Sequence, residues 1–278
     1  MERFVDVAPG AQLWADDTAG PGEPLLLVAD AGQSGLVWPD DLLARLAGRH
    51  RVIRYDHRDT GRSTRSSDEP DYALADLASD ALLALDAPRA HVVGMGLGGL
   101  ITQLLLLDHP DRLLSATLLG CPALPGLPGD LPGPDPALTR MLAEIDDPRD
   151  ARAELAWRVA HRRLLHGTAT PFDGLYFRAL EQRVIAHSGT DIPSAAHLRL
   201  DVPERGPELA GVTVPTLVAE APEDPLYPPP HAEHLAAALA GAPVVTVPGM
   251  GHVLGPAEVA PVAAAILDHT ARACSARR

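Results

Sequence analysis

Basic charge is scarce in this chain of 278 residues, which contains no lysine and carries a formal net charge of −14. Nucleic acids and anionic membranes attract proteins through basic patches that neutralise phosphates. We therefore expect neither a nucleic acid nor a membrane as partner. No uninterrupted apolar stretch reaches the roughly 20 residues that a membrane-spanning helix needs, and the N-terminal residues lack the basic start and apolar run of a signal peptide. We expect a cytoplasmic protein.

Cysteine is also rare. Cys121 and Cys274 are too few and too dispersed in sequence to predict a disulfide framework or a zinc site, so we expect no metal. Apolar residues make up 46% of the chain and charged residues 22%, which is ordinary for a globular domain. The length suits one large α/β domain with an insertion. The sequence leaves open whether the chain forms a homodimer.

Short apolar runs alternate with longer helical patterns, which predicts βαβ units and a mostly parallel, doubly wound sheet. The segment 121–136 interrupts this alternation, because its proline and glycine content prevents helix and strand alike. Helical patterns then continue without a strand until about residue 212. We therefore predict an α/β core formed by 1–120 and 211–278, with 121–210 inserted as a helical cap.

One short segment has the pattern of a catalytic turn without its reactive residue. Gly94-Met95-Gly96-Leu97-Gly98 lies between an apolar strand and a helical pattern, which is the context of a G-x-S-x-G nucleophile elbow. Gly96 stands where that motif has serine. The same glycines match the dinucleotide fingerprint G-x-G-x-x-G, but that fingerprint opens the first βα unit of its fold, and this segment lies in mid-sequence. We expect no cofactor.

Two further loops follow predicted strands and should reach the same edge of the sheet. The loop 220–225 offers Asp224, and the loop 248–252 offers His252. The order elbow, acid, histidine is that of the α/β-hydrolase fold. The chain resembles the α/β-hydrolase superfamily over nearly its whole length, and within it the bacterial anthracycline (aclacinomycin-type) methyl esterases. The resemblance rests on VIRYDHRDTGRST (52–64), AHVVGMGLGG (90–99), ITQLLLLDHPDRL (101–113), VTVPTLVAEAPEDPLYPPPH (212–231) and VPGMGH (247–252).

The resemblance implies an α/β-hydrolase fold and a role for each motif residue. Asp224 would be the acid of a triad and His252 its base, while the backbone N–H groups of Leu97 and Ala31 would form the oxyanion hole. Gly96 falls at the position of the serine. Glycine takes the positive φ of an elbow without strain, so the fold should survive while acyl transfer through position 96 is lost.

Asp30 is a second departure from the family pattern. Many relatives have His-Gly or Gly-Gly where this chain has Asp30-Ala31-Gly32. A carboxylate beside a developing oxyanion opposes it electrostatically. If Asp30 points into the pocket, ester hydrolysis is impaired twice, and if it points away, only the serine is missing.

Other residues could supply a nucleophile or line a pocket. Cys121 ends a predicted strand at the same edge of the sheet, although a small buried filler is the alternative interpretation. Ser34, in the glycine-rich loop, is a second alternative nucleophile. We expect Met95 and four aromatic residues of the predicted cap to hold a small hydrophobic substrate, for which the aromatic polyketide type is one candidate. The four aromatic residues are Trp157, Phe172, Tyr176 and Phe177.

Three functions remain open from the sequence. The first is an enzyme in which His252, oriented by Asp224, acts as a general base in non-hydrolytic or non-covalent chemistry such as cyclisation, isomerisation, elimination or decarboxylation. The second is an ester hydrolase that uses another nucleophile or an activated water, or whose natural serine at position 96 was replaced. The third is a catalytically inactive protein that binds a ligand.

Overall fold

The computed structural model describes residues 1–66 and 70–276. Within these residues, eight strands form one sheet in the order β1-β2-β4-β3-β5-β6-β7-β8. The strands are β1 (Glu2–Ala8), β2 (Ala11–Asp17), β3 (Pro24–Val28), β4 (Arg51–Tyr55), β5 (Ala90–Met95), β6 (Leu113–Leu119), β7 (Thr216–Glu220) and β8 (Val244–Thr246). The six strands from β3 onwards are parallel, and β1 and β2 join one edge in antiparallel pairing. This confirms the predicted α/β class with a mostly parallel sheet.

Helices cover both faces of the sheet, and the central strands β5 and β6 are therefore buried along their whole length. The helices are α1 (Asp40–Ala47), α2 (Leu74–Leu85), α3 (Leu97–Asp108), α4 (Pro136–Leu142), α5 (Ala151–Leu165), α6 (Gly174–Ser188), α7 (His231–Ala238) and α8 (Val259–Ala276). Helices α2, α3 and α7 pack in one apolar cluster, and α1 and α8 pack in another. Every residue of α3 up to Leu106 is buried, which agrees with a sequence that is apolar nearly all round the helix. No described helix is long and apolar enough to cross a membrane.

The hairpin of β1 and β2 was not predicted from the sequence. Its residues alternate between exposed and partly buried positions in β1, and Gly10 turns the chain with a φ of +80°. The apolar alternation is weak because β1 lies at the edge of the sheet, where only part of one face is covered.

The segment 121–210 contains α4, α5 and α6 between β6 and β7. Its helices pack on the loops at the carboxyl ends of the strands. Phe177 and Leu180 of α6 share an apolar cluster with Leu36 and Val253 from those loops. The segment therefore covers the sheet edge where the candidate residues lie, while the division of the chain into core and cap stays a prediction.

Candidate active site

The turn between β5 and α3 brings the backbone of Gly96 to the carboxyl end of the sheet. Gly96 has a φ of 54°, a conformation that glycine adopts without strain and that other residues rarely take. Strand β5 ends one residue before Gly96, and α3 begins one residue after it. This is the strand–turn–helix geometry that the elbow motif predicts, with no side chain at its apex.

The carboxylate of Asp30 occupies the space above Gly96. A Cβ atom added to Gly96 would lie 2.0 Å from Asp30 Oδ1 and 2.3 Å from Asp30 Cγ. These distances are far inside van der Waals contact, so a side chain at position 96 and the carboxylate of Asp30 exclude each other in this conformation. Asp30 thus points into the site, which is the first of the two orientations considered from the sequence.

The carboxylate of Asp30 also occupies the predicted oxyanion hole. The backbone N–H of Leu97 donates a hydrogen bond of 2.7 Å to Asp30 Oδ1, and the backbone N–H of Ala31 also interacts with this carboxylate. These are the two donors that the resemblance assigned to the oxyanion hole. A substrate oxyanion would have to displace the carboxylate to reach them.

His252 lies between two carboxylates. Its Nδ1 is 2.7 Å from Asp224 Oδ2, and its Nε2 is 3.1 Å from Asp30 Oδ2. The Asp224 carboxylate also accepts hydrogen bonds from the backbone N–H groups of Leu226 and Tyr227, which fix its orientation. The site is therefore a chain of three groups, Asp224, His252 and Asp30.

This arrangement sets the protonation of His252 and Asp30. Burial lowers the pKa of His252, but the carboxylates of Asp224 and Asp30 outweigh it and raise that pKa to about 10. Burial raises the pKa of Asp30, but His252 and the Leu97 N–H outweigh it and lower that pKa below its ordinary value of 3.8. At neutral pH the site holds an imidazolium between two carboxylates.

The protonated His252 corrects one expectation from the sequence. A general base needs a free lone pair, and the Nε2 of His252 is protonated and donates to Asp30. The sequence suggested a base because it showed one carboxylate partner, Asp224, and could not show the second. In the resting site the available base is Asp30, and His252 is the acid.

Of these groups, Asp30 is the most open to solvent. Its side chain is 16% exposed, whereas that of His252 is 1% exposed. A cavity of about 80 Å³ adjoins the loop that carries Asp30, with Ala31, Gly32 and Gln33 in its wall. Ligand pockets typically measure roughly 300–1,000 Å³, so a bulky ring system requires the covering helices to move.

The structure places the five predicted pocket residues in different environments. Trp157 lines this cavity together with charged residues of α5 and α6. Phe172 and Phe177 stack on each other with ring centroids 4.9 Å apart, and Tyr176 packs on Phe177. Met95 is buried in the apolar cluster that also contains residues of α1 and α8. Of the described residues that line the cavity, Trp157 alone comes from the predicted set.

The two alternative nucleophiles have other partners. The Sγ of Cys121 packs against Gly99 and lies 4.0 Å from the Gln103 amide nitrogen. Burial and nearby carboxylates raise the pKa of the Cys121 thiol, so it is not a thiolate at neutral pH. The Ser34 hydroxyl donates a 2.6 Å hydrogen bond to Asp56.

Sequence reasoning missed the contacts that hold the Asp30 loop in place. The backbone N–H of Gly32 donates to His197 Nδ1 over 2.9 Å, and His197 Nε2 donates to the backbone carbonyl of Arg58 over 2.9 Å. Burial lowers the pKa of His197, so it is neutral and can accept from one side and donate from the other. Arg162 of α5 donates to Gln33 in the same loop. No motif marks these residues, because the contacts join distant parts of the chain.

Comparisons with known proteins agree with this fold. Residues 25–265 match the model of the Alpha/beta hydrolase family. The chain is 42% identical to rhodomycin D methylesterase DnrP of Streptomyces peucetius, covering 93% of this chain and 94% of the relative. It is 43% identical, with the same coverage, to rhodomycin D methylesterase DauP of a Streptomyces species. The enol-lactonase of Burkholderia xenovorans shares the fold with a TM-score of 0.76 and 21% identity, covering 97% of this chain and all of that one. The chain belongs to the alpha/beta hydrolase family.

Proposed function

We propose that this protein hydrolyses a hydrophobic ester by direct attack of water, with Asp30 as general base and His252 as general acid. The observation that carries the proposal is the position of the Asp30 carboxylate in the space of a residue-96 side chain, 3.1 Å from the protonated Nε2 of His252. At neutral pH this carboxylate can accept a proton and this imidazolium can donate one, which are the two roles that general acid–base hydrolysis needs.

The proposed hydrolysis needs no covalent intermediate. Asp30 takes a proton from water as the water oxygen attacks the ester carbonyl. His252 gives its proton to the leaving alkoxide, which departs as the alcohol when the bond between carbonyl carbon and alkoxy oxygen breaks. The proton on Asp30 then passes to His252 over the 3.1 Å contact, and the resting state returns.

The names of two relatives support a proposal for the substrate class. The two Streptomyces relatives are named as methylesterases of rhodomycin D, and we propose a methyl ester of a polycyclic aromatic compound for this chain. Such a substrate exceeds the cavity of about 80 Å³. The proposal therefore includes an opening of α5 and α6, which line that cavity, when substrate enters.

The test is hydrolysis of a panel of aryl and methyl esters by the wild-type protein and by Asp30→Asn. Asparagine keeps the shape of the side chain and removes its basicity, and loss of a general base typically lowers the rate by about 10²–10⁴-fold. Cys121→Ser and Ser34→Ala are the controls and should retain the wild-type rate. Wild-type activity that survives in Asp30→Asn contradicts the proposal.

A second function is favoured by the occupied oxyanion hole. Because the Leu97 N–H is held by Asp30, it is not free to stabilise a tetrahedral oxyanion, and proton transfer at carbon has less need of it. In that reaction Asp30 would remove an acidic C–H proton and His252 would protonate the enolate oxygen. Asp30-dependent loss of the C–H signal from a β-dicarbonyl compound in D₂O, without ester hydrolysis, identifies this function. Binding without either reaction would identify a ligand-binding protein.

A further inference from the structure

A cluster of three side chains lies at the opposite edge of the sheet from the active site. Glu23 directly precedes β3, His91 is the second residue of β5, and Cys274 lies near the end of α8. Strands β3 and β5 are parallel neighbours with Leu25 paired to His91, which sets Glu23 beside His91. Helix α8 brings Cys274 to the same place from the C-terminal part of the chain.

The ligand atoms of these residues face one another. Glu23 Oε2 is 3.1 Å from His91 Nε2 and 2.9 Å from Cys274 Sγ, and His91 Nε2 is 3.8 Å from Cys274 Sγ. Tetrahedral zinc with bonds of about 2.0–2.3 Å puts its ligand atoms about 3.3–3.8 Å apart. The three separations bracket that range, so small side-chain rotations suffice to coordinate an ion.

Two features around the cluster support metal binding. The other ring nitrogen of His91, Nδ1, is 2.8 Å from the Ser115 hydroxyl. Hydrogen bonds of this kind orient metal-binding histidines and fix their tautomer. A surface cavity lined by Glu23, His50 and Cys274 opens beside the cluster, and it gives an ion and a coordinating water access from solvent.

We propose that Glu23, His91 and Cys274 bind a zinc ion that fastens α8 to the amino-terminal edge of the sheet. Nitrogen, sulfur and oxygen donors suit Zn²⁺ and its substitute Co²⁺. On binding, the Cys274 thiol releases its proton to solvent, and the thiolate and the Glu23 carboxylate together balance the two positive charges of the ion. Water takes the fourth position. The site joins residues far apart in sequence, which is why the spacing of the cysteines did not predict it.

Titration of the whole protein with Co²⁺ tests the site, because a cobalt–thiolate bond gives a charge-transfer absorption. We expect one equivalent to produce this absorption in the wild-type protein and in Cys121→Ser, and none to do so in Cys274→Ser. Glu23→Gln changes an exposed side chain and should weaken binding by about tenfold or more, since even loss of an outer-shell partner has an effect of that size. The absence of the absorption, or its persistence in Cys274→Ser, overturns the proposal.

Thermal unfolding supplies an independent readout. Zn²⁺ should raise the unfolding temperature of the wild-type protein in a concentration-dependent way, because a ligand that binds only the folded state stabilises it. Cys121→Ser should show the same rise and Cys274→Ser should not. An equal rise in Cys274→Ser would mean that zinc acts at other sites, such as the remaining histidines, and would also overturn the proposal.

Discussion

Asp56 and Asp30 both lie in spaces that a glycine leaves open, but their surroundings differ. A Cβ atom added to Gly61 would lie 2.0 Å from Asp56 Oδ2, just as one added to Gly96 would lie 2.0 Å from Asp30 Oδ1. Both glycines have positive φ, 49° and 54°. The same local arrangement, a glycine with positive φ beside a carboxylate, therefore occurs at both Gly61 and Gly96.

The Asp56 carboxylate is saturated with donors. It accepts hydrogen bonds from the Ser34 hydroxyl and from the backbone N–H groups of Gly35 and Arg62, at 2.6, 2.8 and 2.9 Å. His187 Nε2 lies 2.7 Å away. The side chain of Asp56 is 0% exposed. Asp56 holds two loops and a helix of the segment 121–210 together, and nothing can reach it without breaking these bonds.

Asp30 has fewer protein donors and more access to solvent. Its side chain is 16% exposed, and a cavity adjoins its loop. Asp30 and Asp224 both contact His252, so Asp30 lies beside a group that can donate a proton to it. An aspartate–histidine contact alone does not mark an active site, because the separation of His187 from Asp56 equals that of His252 from Asp224, 2.7 Å. The Asp30 site differs from the Asp56 site in its access to solvent and in the second carboxylate that contacts its histidine.

Exchanging each aspartate for asparagine should separate the two regions most strongly. Asp30→Asn should lower the hydrolysis rate by about 10²–10⁴-fold and should lower the free energy of unfolding less than Asp56→Asn does, because Asp30 has fewer protein donors and is partly exposed. Asp56→Asn should lower the free energy of unfolding by about 3 kcal/mol, because asparagine turns one buried acceptor into a donor that faces other donors. Denaturant unfolding measures the free energies of unfolding, and ester hydrolysis assays measure the rates. Equal losses of unfolding free energy in the two variants would contradict the different roles given to Asp30 and Asp56.

Introducing a serine at position 96 tests whether a side chain there and the Asp30 carboxylate exclude each other. Gly96→Ser alone should be inactive, because its Cβ atom meets the Asp30 carboxylate at 2.0 Å. Combining it with Asp30→Gly should free the Leu97 N–H and His252 for a serine mechanism. We expect the double variant to hydrolyse aryl esters about 10²-fold faster than Gly96→Ser, an effect comparable to that of one oxyanion-hole donor. Initial rates with both variants give the answer, and equal rates would show that Asp30 does not block the site.

The pH dependence of stability should show the influence of Asp30 on His252. The folded-state pKa of about 10 exceeds the ordinary value of 6.5, so protonation of His252 stabilises the fold fully below about pH 6.5. This stabilisation is lost as the pH rises towards 10. In Asp30→Asn the loss should begin at the same pH of about 6.5 but should be smaller and end at a lower pH, because one of the two carboxylates that raise the folded-state pKa of His252 is gone. Unfolding free energies measured from pH 6 to 10 test this, with Asp40→Asn on the surface as control. Identical profiles for wild type and Asp30→Asn would contradict it.

The sequence predicted the sheet, the elbow and the pairing of Asp224 with His252 because each depends on local patterns or on the order of loops. It could not predict the orientation of Asp30, which depends on where distant groups such as His197 and Leu97 meet the loop. It placed Phe172 and Phe177 at the pocket because they are aromatic and lie in the covering segment. In the structure they stack on each other, since a small helical segment needs an apolar cluster of its own.

The most direct test of the account is a single turnover of the wild-type enzyme with an ester in H₂¹⁸O. If Asp30 activates water that attacks the ester carbonyl, the acid released in the first turnover contains one ¹⁸O atom and Asp30 contains none. Mass spectrometry of the product and of the peptide that carries Asp30 measures both. Unlabelled acid together with ¹⁸O in Asp30 would show that Asp30 forms a covalent intermediate, and it would contradict the account.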